Sequence, residues 1–168
     1  GMDYRLERLR QMDIYITPAD AAANSKLERV FRDLSIGADA KPRTFTVNGR
    51  EVEIPRTAEG VAYVTFDDLC ARPLGPGDYL TFAETFHTLL MKDVPAMKPN
   101  NRNEAKRFVT LIDALYDAKV KFICSAAVPP AELYSEGDGA FEFQRTVSRL
   151  IEMQSLDYMA LPHGSIAS

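Results

Sequence analysis

The chain has 168 residues, of which 46% are hydrophobic, with 20 basic and 24 acidic side chains and a net charge of -4. That length supports one core, or at most two small ones, and the composition excludes a disordered chain. Charges of both signs are interspersed, which argues against a nucleic-acid or anionic-membrane surface, and no apolar run approaches the roughly 20 residues that cross a bilayer. The chain is therefore expected to be soluble, without a transmembrane segment and without a nucleic-acid partner.

GMDYRLERLR opens in mid-pattern, as though a strand and turn preceded it; a lone Gly ahead of a Met2 start is the competing explanation. Residues 3–10 are good helix formers, and DIYITP at 13–18 reads as a short strand closed by Pro18. A helix over 20–34 follows, with Leu27, Val30, Phe31 and Leu34 on one stripe and Gly37 as its stop. TFTVNGREVEIP alternates apolar and polar residues on both sides of Asn48-Gly49, the dipeptide suited to a two-residue hairpin turn. Pro55 predicts an edge strand there.

VAYVTF at 61–66 is a strand, FDDLC a helical turn, and Pro76-Gly77-Asp78 opens a helix through Phe86. HTLLMKDVP predicts a buried strand, a helix begins near Asn103 with Phe108, Ile112 and Leu115 inward, and VKFICSA is the next strand. After Pro129-Pro130 come a short turn, the loop SEGDG and a last helix over 141–154, with LPHGSIAS expected to fray. The alternation predicts an α/β fold: a layered mixed or partly parallel sheet with flanking helices plus one β-hairpin. One domain spans 1–168, with a connecting helix and hairpin region at 1–60 and an α/β region at 61–160.

Chemistry is sparse. A phosphate loop needs a glycine-rich turn ending in Lys and Ser or Thr, and no GxxxxGK[ST] occurs. HTLLMKDVP approaches a strand ending in magnesium-binding acids, but Lys92 interrupts the apolar run and Val94 stands where a second acid would be needed, so a solvated strand end is the plainer reading of Asp93. The two histidines, His87 and His163, lie at neither metal nor triad spacing. Cys70 and Cys124 read as two reduced thiols, and Ser125 has no elbow motif or base to make it a nucleophile. One charged constellation remains. Glu142, Arg145, Arg149 and Glu152 are spaced 3, 4 and 3 apart and share a helix face, so the arginines could receive a phosphate or a partner's carboxylate. A self-satisfied surface ladder is the plainer alternative.

DYRL at 3–6, GVAYVTFDDLC at 60–70, DYLTFAETFHTLLMKDVPAM at 78–97, KRFVTLIDALYDAKVKF at 106–122 and FEFQRTVSRLIEMQS at 141–155 together resemble the C-terminal half of the AFG-like, or ZapE-type, ATPases. The resemblance implies an AAA-type P-loop ATPase that uses ATP and magnesium, tied to cell division in bacteria or to protein quality control in mitochondria. It also implies that this stretch is the non-P-loop C-terminal part, with no catalytic residue to transfer, no cofactor of its own, and an N-terminal ATPase core as its partner. Arg145, Arg149 and Arg5 are then the candidates for facing nucleotide or a neighbouring subunit. A homo-oligomer or a division-protein client is a further expected partner, and the alternative function is a nucleotide-independent interaction module for a division or membrane-associated client. The expected location is the bacterial cytoplasm, including the periphery of the inner membrane, with the mitochondrion as the alternative. LIDALYDAKVKFICSAAVPPAELY repeats a layout of the family's catalytic half, which suggests a degenerate internal echo and requires neighbouring strands joined by the 103–118 helix.

Overall fold

The computed structural model describes residues 13–164; the helix expected at 3–10, and Arg5 with it, lie outside them. Strands β1 (Tyr15–Ile16), β2 (Lys41–Val47), β3 (Arg50–Ala58), β4 (Val61–Thr65), β5 (Thr88–Val94) and β6 (Lys121–Ala126) form one sheet in the order β1-β6-β5-β4-β3-β2. The first four in that order are mutually parallel, and β3 and β2 continue the sheet antiparallel. Flanking it are α1 (Ala21–Leu34), α2 (Phe66–Cys70), α3 (Pro76–Thr85), α4 (Arg102–Asp117), α5 (Ala140–Glu152) and α6 (Leu156–Met159). The fold is α/β, a mixed sheet with flanking helices in which β2–β3 and β3–β4 are successive hairpins, turning at Asn48-Gly49 and at Glu59-Gly60.

Local chemistry accounts for the elements. Asn48 and Gly49 take φ of 50° and 78°, the left-handed pair that a tight hairpin turn requires, and this register turns Phe45, Val47, Val52 and Ile54 inward. Strands β4, β5 and β6 are apolar on both faces because both faces are covered, as parallel strands demand. One face packs on α2 to α5 around Phe108, whose ring stacks on Phe143 of α5 at 6.1 Å and meets Phe122 of β6 edge-on at 6.2 Å. The other face is covered by α1 through Leu27, Val30, Phe31 and Leu34, with Met159 of α6 at its margin.

Parallel neighbours β5 and β6 are joined through α4, the arrangement on which the internal-echo idea depends. Two sequence expectations are overturned. Strand β3 is interior, not an edge, and Pro55 is tolerated because pairing with β4 begins only at Arg56 while β2 shifts register opposite it, between Lys41 and Arg43. The tail does not fray before residue 164. Lys121, only 6% exposed, donates from Nζ to the carbonyls of Tyr158 (3.0 Å) and Leu161 (2.9 Å), His163 Nε2 donates to the Ala83 carbonyl (2.7 Å), and Gly164 N donates to the Ala118 carbonyl (2.8 Å).

Candidate functional site

In open α/β sheets the crevice for a ligand lies beyond the carboxyl ends of the strands, where adjacent strands send their following loops to opposite faces. Here that place is between β1 and β6. The chain leaves β1 for α1 on one face and leaves β6, through a single turn at Pro130–Glu132, for α5 on the other. Tyr15 of β1 spans the crevice, its hydroxyl donating to the Val128 carbonyl at 2.7 Å, and burial holds that phenol well above its usual range.

A phosphate site at this position would use the open amides of the first turn of α1. The Asp20 carboxylate already accepts from one of them, Ala23 N, at 2.9 Å, and places a negative charge where an anion would have to sit. The turn from β1 to α1, residues 17–20, carries neither glycine nor lysine. On the neighbouring strand, Asp93 adopts a left-handed φ of 64°, and its backbone amide donates to the fully buried Ser125 hydroxyl at 2.9 Å. That bond holds the ends of β5 and β6 together where their register shifts between Met91 and Val94. Ser125 is thus an acceptor in a strand splice. Among the described residues no group of three or more His, Cys, Asp and Glu could hold a metal ion. The residues present do not fit a nucleotide phosphate with its magnesium.

The arginine constellation is assembled across two helices. Asp113 of α4 pairs through one carboxylate oxygen with Arg149 and through the other, at 3.4 Å, with Arg145. The guanidinium of Arg149 also lies over the Tyr116 ring at 4.7 Å, and the Tyr116 hydroxyl donates to Glu152 at 2.8 Å, a bond that raises the phenol above its usual range. The expected ladder within one helix is therefore replaced by a bridge from α5 to α4, and neither Asp113 nor Tyr116 was signalled by spacing along α5. The two arginines differ in kind. Arg149 is 24% exposed and held on two sides, whereas Arg145 is 63% exposed with one long ion pair.

Two grooves flank the first turns of α4. One of about 420 Å³ lies toward α5, where Arg102 and Lys106 face Asp138 and Glu142; with two charges of each sign it has no bias toward an anion. The other, of about 400 Å³, lies toward α3 and is lined by Gly75, Pro76, Lys106 and Arg107 among others. The SEGDG loop beside the first groove is a fixed element. Gly137 has φ of 120°, and a Cβ there would sit 2.6 Å from the Tyr134 hydroxyl and 2.9 Å from Pro99 Cα, while that hydroxyl donates to the Asp138 carbonyl. Both cysteines are buried free thiols whose pKa burial pushes far up, which leaves them unreactive.

Comparison with known proteins matches residues 1–162 to the model of the AFG1-like ATPase family. The chain is 34% identical over 163 residues to the cell division protein ZapE of Escherichia coli K12, covering 97% of this chain and 44% of that protein. It is 31% identical over 193 residues to the lactation elevated protein 1 homolog B of Danio rerio, covering 94% of this chain and 38% of that protein. The chain thus spans less than half the length of these relatives. No solved structure matches it.

Proposed function

The chain belongs to the AFG1-like ATPase family, and on that premise we propose that it is the accessory part of such an ATPase, acting on the position of nucleotide or of a neighbouring subunit without hydrolysing ATP itself. The observation that carries this reading is the crevice between β1 and β6, where the fold's usual phosphate position is filled by the Asp20 carboxylate. ATP and magnesium belong to the catalytic half of the longer protein. Arg145 is the subunit-facing or phosphate-facing group, because its charge is exposed and weakly paired, whereas Arg149 is committed to Asp113 and Tyr116.

In the longer protein, Arg145→Ala is expected to lower the ATPase rate or the assembly state at least several-fold while leaving the fold intact. Wild-type rate and assembly together would remove the assignment. A second reading, a nucleotide-independent module that holds a client, draws on the exposed Phe141 and Ile151 of α5. Binding of a division-apparatus protein by this chain in the absence of nucleotide, lost on Phe141→Asp, would favour it. The similarity to a relative named as a cell division protein supports a bacterial setting, with the cytoplasm as the proposed location and the mitochondrion as the alternative; among the described residues no helix is long and apolar enough to cross a membrane.

A further inference from the structure

The groove of about 400 Å³ between α3 and α4 is separate from Arg145 and Arg149, neither of which lines it. Its two walls differ in chemistry. On α4, Lys106 and Arg107 lie three and four residues after Asn103, so the three side chains share the helix face that borders the groove. Across from them Leu74 and Pro76 are apolar, and Tyr79 offers only its ring, because its hydroxyl donates to the Leu69 carbonyl at 2.7 Å. No acidic side chain lines the groove, although the chain carries a net charge of -4; Asp78 and Glu104, beside it in sequence, do not line it.

The cations here are available. Arg107 Nη1 donates to the Cys70 carbonyl at 3.0 Å, which fixes the guanidinium against the end of α2, while its Nε and Nη2 have no partner among the described residues. Lys106 Nζ and the Asn103 amide have none either. A planar fork with donors to spare matches a carboxylate, and an ammonium beside it adds charge without a geometric demand of its own. Phosphate is a poorer fit. It takes open backbone amides and brings a second negative charge, whereas the Gly75 amide already donates to Asp78 at 2.8 Å, and that carboxylate, held also by Arg50 at 2.6 Å, occupies the first turn of α3. The volume suits a small ligand, since such sites run from about 300 to 1,000 Å³ and pair an apolar lining with a few placed polar groups.

We propose that the groove between α3 and α4 binds a carboxylate joined to an apolar body, with Arg107 and Lys106 holding the carboxylate and Leu74, Pro76 and Tyr79 the apolar part. This adds a ligand site to the accessory role and does not depend on Arg145. Two sources carry that chemistry: a free organic acid, and an Asp or Glu beside an apolar residue of a polypeptide.

The test follows the backbone amide resonances of residues 74–79 and 103–110 in this chain during titration with 3-phenylpropionate. Saturable shifts are expected, with 3-phenylpropanol and inorganic phosphate weaker by about tenfold or more. Arg107→Gln is expected to weaken the acid about tenfold. Gly75→Asp is expected to do the same with the fold intact, because Gly75 lines the groove at an ordinary extended φ of -140°, a Cβ there meets nothing within 4 Å, and Asp suits the position before a helix. Arg102→Gln, which alters a cation of the other groove, should leave affinity within about twofold. The blocked peptide acetyl-Phe-Glu-amide separates the sources: tighter binding than the free acid assigns the site to a polypeptide, weaker binding to an organic acid. Absence of saturation by either, phosphate as effective as the acid, or affinity unchanged in both Arg107→Gln and Gly75→Asp would overturn the site.

Discussion

The two ends of the parallel strands are built to opposite plans. At the amino end, Lys121 is buried and its ammonium donates to three carbonyls, those of Lys119 (3.1 Å), Tyr158 and Leu161, while its charge lies 4.7 Å from the centre of the Tyr158 ring. The Tyr158 hydroxyl donates to the Val120 carbonyl at 2.7 Å, so the last described residues are clasped to the start of β6. At the carboxyl end lie the left-handed Asp93, the first turns of α1, α4 and α5, and two open grooves. One end holds the fold closed; the other leaves helix N-termini and charged side chains available. The same division recurs wherever parallel strands feed helices, because the loops that can vary sit beyond the carboxyl ends.

If the amino end is the structural end, the largest loss should come from Lys121→Met, which keeps the stem and leaves one buried and two partly buried carbonyls without their donor. A cost of about 3 kcal/mol in urea unfolding is expected, and a loss under about 0.5 kcal/mol would break the contrast. Gly137→Ala comes next, at about 2 kcal/mol, because a left-handed residue would also push its Cβ into Tyr134 and Pro99. This change should disturb the groove beside α5 while leaving the Lys121 clasp intact, which protection of the Leu161 and Gly164 region in hydrogen exchange would register.

Asp20→Ala removes the cap of α1 and should cost about 1 kcal/mol. Arg145→Ala should change stability by less than about 0.5 kcal/mol, since an exposed, long ion pair contributes little. A stability effect as large as that of Lys121→Met would make Arg145 structural and blur the two ends.

The smallest effect concerns pH. Glu28 of α1 accepts a bidentate pair from Arg56, whose guanidinium lies over Phe31 and Tyr63, and that hydrogen bond holds the carboxyl below its ordinary range; the Tyr63 phenol beneath, desolvated, is pushed up to about 12. A depressed folded-state pKa contributes stability above the unfolded value and loses it as pH falls through the folded one. Acid titration of stability should therefore show a small decrease below the carboxylate range that Arg56→Met removes. The side chains are about two-fifths exposed, so screening keeps it small.

Much of the fold was legible in the sequence where a period or a turn chemistry was strong: the hairpin at Asn48-Gly49, the stripe of α1, and the strand–helix–strand unit from Thr88 to Ala126. Tertiary context decided the rest. LPHGSIAS has no period, so nothing in it announces that the Leu161 carbonyl would be taken by a lysine 40 residues away, and Lys121 itself reads as a charge at a strand start. Pro55 is a reliable edge signal only when both ladders reach it, and here one has not begun. For the arginines, spacing along α5 found the shared face but could not supply Asp113 and Tyr116, because those come from another helix.

Whether the β1–β6 crevice takes nucleotide decides the proposed role most directly. Titration calorimetry with ATP and magnesium, on this chain, on its Asp20→Ala variant and on the longer family protein, measures it. Binding by the longer protein alone is the predicted result. Saturable binding by this chain that strengthens when Asp20 is removed would contradict it, and would make the first turn of α1 a phosphate site after all.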